Sequence, residues 1–114
     1  MHDPHDADWE ISVQQLDELL KAGADFDLID CRGADERALT SIEPSRLVPL
    51  PQFETLYEDA FAGRENRRTI VYCRAGVRSL DFARRLRARG VADVKSVAGG
   101  INRWNQTFGD GPQY

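Results

Sequence analysis

The sequence has few of the features that mark disulfide-stabilised, secreted or membrane proteins. Cys31 and Cys73 are its only cysteines, too few for a disulfide scaffold, and free thiols fit a reducing compartment. No apolar run approaches the roughly 20 residues of a membrane-spanning helix, and the amino terminus lacks the basic-then-apolar pattern of a signal sequence. We therefore expect a cytoplasmic protein that does not associate with membranes.

The chain also lacks repeats, linkers and low-complexity segments, and its 114 residues suffice for one hydrophobic core but are marginal for two. We expect a disordered amino-terminal segment at residues 1–8, one domain at residues 9–108 and a loose carboxyl-terminal tail at residues 109–114. His2 and His5 lie among aspartates in the first segment. Short terminal segments are more often mobile than metal-binding, so no metal site is predicted.

The two halves of the chain carry opposite charge. Residues 1–60 hold 15 acidic and four basic residues, a net charge of −11, whereas residues 61–114 hold four acidic and 11 basic residues, a net charge of +7. Nine arginines lie between Arg64 and Arg89. They form either a solvated helix face or a positive field that attracts small anions or an acidic protein. A nucleic-acid partner is not expected, because the chain is acidic overall and no aromatic stripe accompanies the arginines.

Apolar patterns predict strands and helices that alternate along the chain. The predicted strands are Trp9–Ile11, Phe26–Asp30, Arg46–Leu50, Thr69–Tyr72 and Val91–Val97. The first predicted helix begins after Ser12 and ends near Lys21–Gly23, and the later predicted helices are Phe53–Phe61, Ser79–Arg89 and Ile101–Phe108. Such alternation favours an α/β domain whose parallel sheet is covered by helices on both faces.

The chain is organised around one strand, one short loop and one helix. The β-branched and aromatic run Thr69–Tyr72 is typical of a buried strand, and apolar residues at helical spacing begin at Leu80. The loop between them starts with Cys73 and has Gly76 at its centre. A helix amino terminus that follows such a loop presents several backbone N–H groups to one point, so we expect an anion site with Cys73 at its edge.

The position of Cys73 matters because a thiolate, not a thiol, is the attacking nucleophile. An unperturbed cysteine has a pKa of about 8.5, and lowering that pKa by two units needs roughly 2.7 kcal/mol. An exposed helix terminus contributes only ~0.3–1 kcal/mol. We expect loop N–H groups and the guanidinium groups of Arg74 and Arg78 to supply the remainder, and to hold an anionic substrate.

Three motifs occur in the same order as in one known family. Cys73-Arg-Ala-Gly-Val-Arg-Ser79 closely resembles the active-site loop of the rhodanese family, the single-domain sulfurtransferases. Asp30-Cys-Arg-Gly-Ala-Asp-Glu36 resembles that family's Asp-x-Arg-x-x-x-Glu segment, and Val97-Ala-Gly-Gly-Ile-Asn-Arg-Trp104 resembles its Gly-Gly-x-x-x-Trp ending. The resemblance covers the chain from about Ile11 to Trp104. It implies the rhodanese-like fold, an α/β domain with a parallel sheet of about five strands.

The resemblance also implies a sulfurtransferase in which Cys73 is the catalytic residue. Cys73 would take a sulfane sulfur from thiosulfate or a persulfide-bearing protein, hold it as a persulfide and pass it to a thiol or a cyanide-like acceptor. The loop lacks the lysine of thiosulfate-preferring rhodaneses, which keeps a protein donor open. No cofactor is implied, and nothing calls for more than a monomer. The residues expected to bind the substrate are Arg74, Ala75, Gly76, Val77, Arg78 and Ser79.

Asp30 and Arg32 follow the second strand and are expected near the Cys73 loop, because ligands bind at the carboxyl ends of parallel strands. We expect Arg32 to pair with Asp30, Glu36 or another buried carboxylate, with direct substrate contact as the alternative. Cys31 occupies a position where the family usually has an aliphatic residue, so core packing is its expected role. Its alternative role is attack on a Cys73 persulfide to form a disulfide.

Two other functions stay open. Phosphatases and arsenate reductases that share this fold have a longer loop between cysteine and arginine, whereas four residues separate Cys73 from Arg78 here. A regulatory binding module is the second alternative, although many such modules lose the cysteine.

The segment Thr40–Pro49 departs from the family pattern, since it lacks the usual glycines, histidine and asparagine. That departure concerns the surroundings of the site and substrate access more than the sulfur chemistry.

Overall fold

The computed structural model describes residues 6–114 and shows a five-stranded sheet whose strand pairs are all parallel. The strands are β1 (Glu10–Ile11), β2 (Asp27–Asp30), β3 (Arg46–Leu47), β4 (Thr69–Tyr72) and β5 (Val94–Val97). They lie in the order β1-β5-β4-β2-β3, so β4 is central. The helices are α1 (Asp6–Trp9), α2 (Val13–Lys21), α3 (Ala34–Leu39), α4 (Phe53–Phe61), α5 (Val77–Ala88) and α6 (Gly100–Phe108), with a 3₁₀ turn at Leu50–Gln52. Within residues 6–114, none of the helices combines the length and apolar character that crossing a bilayer requires.

Helices cover both faces of the sheet because both faces of its central strands are apolar. Ile29 of β2 and Val71 of β4 pack with side chains of α4 and α5 on one face, whereas Leu28 and Ile70 pack with side chains of α2 and α6 on the other. Successive side chains of a strand point to opposite faces, so near-continuous apolar runs are what a doubly covered parallel sheet requires. The predicted α/β fold class, with about five parallel strands and helices on both faces, is confirmed.

The amino-terminal segment is more ordered than expected at residues 6–8. Residues 1–5, which include His2 and His5, lie outside the described residues, but Asp6–Trp9 form one helical turn. Arg87 stabilises this turn, because its Nη2 donates a hydrogen bond of 2.6 Å to the Asp8 carbonyl and its guanidinium lies 3.6 Å from the centre of the Trp9 ring. The first strand accordingly begins at Glu10 instead of Trp9.

The sequence patterns did not predict α3. None of its residues is buried, so it has no apolar stripe, and its signal is confined to its amino-terminal cap. There the Glu36 side chain accepts a hydrogen bond of 3.2 Å from the Gly33 N–H. Helix α5 begins at Val77, two residues earlier than predicted, since Gly76 already serves as its cap. Strand β3 ends at Leu47 before Pro49, which has no N–H to donate to a neighbouring strand.

The carboxyl-terminal tail is packed against the domain, which corrects the expectation of a loose segment at residues 109–114. The Trp104 Nε1 donates to Asp110 at 2.7 Å, and the Asn105 side chain donates to the Pro112 carbonyl at 2.9 Å. The Tyr114 N–H donates to the Asn102 side chain at 3.1 Å. Side-chain amides and an indole N–H of α6 therefore hold the tail, and apolar periodicity does not report such contacts.

Candidate active site

The Cys73 sulfur lies against backbone amides at the beginning of α5. Cys73 directly follows β4, and its Sγ accepts hydrogen bonds from the Gly76 N–H at 3.1 Å and the Ser79 N–H at 3.3 Å. The residue is 1% exposed and belongs to an apolar cluster, yet its sulfur accepts two polar hydrogens. Two of the amides expected to surround the sulfur do so, and their N–H groups stabilise a negative charge on it.

Ser79 gives the sulfur a third hydrogen-bond partner. Its Oγ lies 3.3 Å from the Cys73 Sγ and 2.6 Å from the Oγ of Ser96 on β5. A thiolate accepts hydrogen bonds and donates none, so beside a thiolate the Ser79 hydroxyl donates to sulfur and accepts from Ser96. Both serines are completely buried, and this chain of hydroxyl groups therefore orients its protons toward Cys73.

Cys31 lies beside Cys73 on the same face of the sheet. Both residues belong to the apolar cluster under α4 and α5, and both are free thiols. The expected core packing of Cys31 is confirmed, since it is completely buried. Cys31 also affects the pKa of Cys73, which the aliphatic residue usual at this position in the family would not do.

The surroundings of Cys73 lower its pKa to about 5. Hydrogen bonding from Cys31 is the largest cause, burial opposes it, and the Ser79 hydroxyl and the Ser79 and Gly76 amides add to the lowering. The pKa of Cys31 is raised, first because its thiol hydrogen-bonds to Cys73 and second because it is buried. At neutral pH the pair is thus one thiolate, Cys73, and one thiol, Cys31.

The shape of the loop depends on two glycines. Gly76 has φ of +105°, and a Cβ there would lie 3.3 Å from the backbone nitrogen of Gly99. Gly100 has φ of +60°, and a Cβ there would overlap the Arg74 carbonyl. This close approach lets the first amides of α6 hold the loop: the Ile101 N–H donates to the Cys73 carbonyl at 2.9 Å, and the Asn102 N–H donates to the Arg74 carbonyl at 3.1 Å.

Helix α6 also determines which way the loop amides point. In a trans peptide the C=O and N–H groups point in opposite directions. Because the carbonyls of Cys73 and Arg74 face α6, the N–H groups of the next two residues point away from it. The Gly-Gly pair of the third motif thus positions the loop, although it does not contact the sulfur.

Arg78 is held in a two-pronged ion pair with Glu36. Its Nη1 and Nη2 each lie 2.7 Å from a carboxylate oxygen of Glu36. Hydrogen bonding from Arg78, and less so from Tyr114 and the Gly33 N–H, lowers the pKa of Glu36 to about 2 against the effect of burial. The same carboxylate raises the pKa of Arg78. The arginine expected to bind a donor anion is therefore already oriented by α3.

The other side chains of the loop differ in exposure. Arg74 and Ala75 are exposed, and Val77 is 80% exposed. The Arg74 guanidinium lies 4.7 Å from the centre of the Tyr114 ring, a cation–π contact between the loop and the tail. A polar and apolar rim thus surrounds a buried sulfur.

Asp30 and Arg32 lie on the face of the sheet opposite to Cys73. The Asp30 carboxylate accepts from the Arg32 Nε at 2.9 Å and Nη2 at 2.8 Å, and both side chains are completely buried. Burial lowers the pKa of Arg32, but hydrogen bonds to Asp30 and Tyr114 outweigh it and the pKa is raised. Tyr72 donates to the same carboxylate at 3.2 Å. The predicted pairing of Arg32 with Asp30 is confirmed, and this pair supports the end of β2.

Three side chains of the site were not assigned to it from the sequence. Glu36 belongs to the second motif, but no pattern in the sequence linked it to Arg78. Ser96 is a polar residue within the buried run of β5, which is a weak signal for a buried hydrogen bond. Tyr114 donates to Glu36 at 2.6 Å across a separation of 78 residues, and no local pattern signals it.

Most of the arginines in the basic half are paired with acidic residues, many of them from the other half. Arg64 and Arg67 both contact Asp27, at 3.2 Å each, and Arg89 lies 2.9 Å from Glu54. Exposed pairs contribute little stability, but they reduce the field that the charge difference of the halves suggests. Of the two interpretations of the basic stretch, paired and solvated arginines fit these contacts better than a broad positive field.

A cavity of about 440 Å³ lies away from Cys73, next to β1 and the beginning of β4. None of the residues that line it belongs to the loop at 73–79. Its lining includes Glu10, Thr69 and Lys95. In parallel sheets ligands bind at the carboxyl ends of the strands, and Thr69 is the amino end of β4, so we place the candidate site at Cys73 and not in this cavity.

The model of the rhodanese-like domain family matches residues 12–107. The chain belongs to the rhodanese-like domain family. Its membership confirms the family resemblance of the three motifs, whose cysteine loop, Asp-x-Arg-x-x-x-Glu segment and Gly-Gly-x-x-x-Trp ending all lie within the matched residues.

This rhodanese-like domain has sulfurtransferases among its relatives. It is 30% identical over 100 residues to the adenylyltransferase and sulfurtransferase MOCS3-2 of Zea mays, a match that covers 84% of this chain and 21% of that protein. The chain spans between 21% and 33% of the length of the curated relatives it matches.

Solved structures share the fold of this rhodanese-like domain. A rhodanese-related protein from Thermoplasma volcanium superposes with a TM-score of 0.77 at 24% identity, covering 88% of this chain and 93% of that one. The human single-domain sulfurtransferase TSTD1 superposes with a TM-score of 0.74 at 20% identity, covering 85% and 95%. At these identities the likeness shows the fold.

Proposed function

We propose that this rhodanese-like domain is a sulfurtransferase that carries a sulfane sulfur on Cys73 as a persulfide. The supporting observation is the Cys73 sulfur itself, which accepts two backbone N–H bonds and has a pKa lowered to about 5. A thiolate that is present at neutral pH is the nucleophile that sulfur transfer requires.

In the first step the Cys73 thiolate attacks the outer sulfur of the donor. With thiosulfate the S–S bond of the donor breaks, sulfite leaves with its electron pair, and Cys73 becomes a persulfide anion. With a protein persulfide the leaving group is the donor's thiolate. Arg78 and Arg74 bind the anionic donor, while the N–H groups of residues 74–79 stabilise the charge on the new terminal sulfur.

In the second step an acceptor nucleophile, such as a thiol or cyanide, attacks the terminal sulfur. The bond between the two sulfurs breaks, and Cys73 leaves as a thiolate. A thiolate with a low pKa is a good leaving group, so the hydrogen bonds that favour loading also favour unloading. The two steps restore the starting enzyme and need no cofactor.

Because Cys73 is buried, the site favours donors that present a narrow terminal sulfur atom. A sulfur that is 1% exposed is reached by a terminal sulfur atom more readily than by a bulky ester. The exposed Arg74, Ala75 and Val77 surround this entrance, and they suit a protein that presents its own persulfide. The relative from Zea mays combines an adenylyltransferase with a sulfurtransferase in its name, which fits a role in a sulfur relay between proteins in the cytoplasm.

Intact-protein mass spectrometry tests the proposal. The reduced protein is exposed to thiosulfate or to a small persulfide, the donor is removed, and the mass is measured with peptide mapping. We expect a gain of one sulfur atom on the Cys73 peptide, and no gain in Cys73→Ser, whose hydroxyl is not a comparable nucleophile. A folded protein that neither gains sulfur from either donor nor releases sulfide would reject the sulfurtransferase and leave the regulatory binding module.

A further inference from the structure

The proposed reaction uses one of two buried nucleophiles and leaves the other, Cys31, without a chemical role. Cys31 and Cys73 are 0% and 1% exposed, and neither is in a disulfide. Each directly follows a strand of the central pair, Cys31 after β2 and Cys73 after β4.

The strand register places the two thiols opposite each other. Asp30 and Tyr72 are direct partners in the β2–β4 pairing, and the Cys31 N–H donates to the Tyr72 carbonyl at 3.1 Å. The next residues along the two strands, Cys31 and Cys73, therefore face each other across the pair. Both side chains enter the cluster that also contains Ile29 and Val71, so they project from the same face.

This placement suits a disulfide. Neighbouring strands lie about 4.8 Å apart, and bridged cysteines have Cα atoms about 4.4–6.8 Å apart with their side chains directed toward each other. The hydrogen bond from the Cys31 N–H to the Tyr72 carbonyl holds the ends of the two strands at this spacing. Little backbone movement is needed to join them.

We propose that Cys31 resolves the Cys73 persulfide, releasing the outer sulfur as hydrosulfide and forming a Cys31–Cys73 disulfide. This inference rests on the proposed sulfurtransferase function and adds a second outcome to it. When an acceptor is present the persulfide transfers a sulfane sulfur, and when none arrives the domain releases sulfide.

The step balances without an external oxidant. The sulfur of Cys31 attacks the inner sulfur of the persulfide, the bond to the outer sulfur breaks, and the outer sulfur leaves with the electron pair. The proton of the Cys31 thiol goes to the leaving sulfur, which departs as HS⁻. The sulfane sulfur is reduced to sulfide and the two cysteine sulfurs are oxidised to the disulfide. A dithiol reductant then restores both thiols and is itself oxidised to a disulfide.

Loading also changes which group holds the charge near Cys31. In the resting pair the negative charge is on the Cys73 sulfur, which carries no leaving group for the Cys31 thiol to displace. In the persulfide the charge is on the outer sulfur, and the inner sulfur has become electrophilic. Cys31 can therefore attack only when Cys73 carries a leaving group, as it does after loading with sulfur.

The test follows the fate of the persulfide in wild type, Cys31→Ser and Cys31→Ala. Each protein is loaded with thiosulfate, freed of donor and incubated without reductant, and both free sulfide and protein mass are followed at several protein concentrations. Cys31→Ser places a hydroxyl near Cys73, and Cys31→Ala is the control that shows whether this hydroxyl itself changes the lifetime of the persulfide.

We expect the wild type to release one sulfide per loaded chain at a rate independent of protein concentration. Its mass should fall to that of the reduced protein less two hydrogen atoms, with the Cys31 and Cys73 peptides joined. Both variants should retain the persulfide at least tenfold longer. Equal persulfide lifetimes in all three proteins, with no joined peptides, would overturn the resolving role while leaving the sulfurtransferase intact.

A second measurement tests the pairing without loading. The reduced wild type is treated with diamide, a small thiol oxidant, and we expect an intramolecular Cys31–Cys73 disulfide that a dithiol reverses. Absence of that disulfide under conditions that oxidise surface thiols would overturn the inference. Failure of the wild type to take up sulfur or release sulfide, despite a disulfide in the oxidised protein, would instead reject the proposed function, and the resolving role with it.

Discussion

The guanidinium of Arg78 and the carboxylate of Glu36 form two hydrogen bonds of 2.7 Å each, across 42 residues of sequence. This pair joins the cysteine loop to α3, the first helix after β2. It fixes the direction of the Arg78 side chain and neutralises part of its charge. A donor anion must therefore share Arg78 with Glu36.

We predict that Arg78→Ala raises the KM for thiosulfate by about tenfold, because a charge-assisted hydrogen bond contributes about 1.5–3 kcal/mol and 1.4 kcal/mol corresponds to a factor of ten. Because Arg78 also pairs with Glu36, we expect its contribution to donor binding to lie at the lower end of that range. Steady-state kinetics measures it, and Arg85→Ala, an exposed arginine of the same helix, is the matched control. An unchanged KM in Arg78→Ala would show that the arginine does not bind the donor.

The pKa of Cys73 can be measured from the pH dependence of its rate of alkylation. The thiolate is the reactive form and is present above the pKa of about 5, so the rate with iodoacetamide should be flat near neutral pH and half-maximal near pH 5. An ordinary cysteine would instead have its midpoint at about 8.5. Cys31→Ala removes the largest cause of the lowering and should move the midpoint upward. A wild-type midpoint above pH 7 would contradict the site described here.

The sequence was sufficient to predict those parts of the site that are local. A buried strand, a loop with Cys73 and Gly76, and a helix beginning within a few residues are all set by short-range patterns, and they place the sulfur at a helix terminus. The same holds for Arg32, whose buried charge required a nearby carboxylate and found it two residues away in Asp30.

The remaining parts depend on contacts between distant segments. Ser96 reaches the sulfur only through Ser79, and it does so because β5 lies next to β4 in the sheet. The tail appeared loose because it lacks apolar periodicity, yet Tyr114 contacts Glu36 through a single hydroxyl. Such contacts rest on tertiary packing, and patterns within one segment do not report them.

Removing Arg32 should destabilise the fold more than it affects sulfur loading. Arg32→Ala leaves the completely buried Asp30 carboxylate without its main partner, and breaking a buried pair in this way typically costs about 3–5 kcal/mol. Arg37, whose Nη1 lies 3.2 Å from Asp30, compensates in part. Urea denaturation measures the loss, with the partly exposed Arg37→Ala as the milder control. Lost loading with an unchanged free energy of unfolding would point to substrate contact instead.

Tyr114 ties the tail to the same network, and its hydroxyl can be removed without removing its ring. The hydroxyl accepts from the Arg32 Nη1 at 2.9 Å and donates to Glu36 at 2.6 Å. Tyr114→Phe should therefore lower the free energy of unfolding by about 1–3 kcal/mol, the effect of leaving the buried Arg32 guanidinium and the partly buried Glu36 carboxylate short of a partner. The KM for thiosulfate should change less than it does in Arg78→Ala, because both Arg78–Glu36 hydrogen bonds remain. Tyr114→Leu additionally removes the ring beside Arg74 and should be less stable still. Unchanged stability in both variants would show that the tail does not support the site.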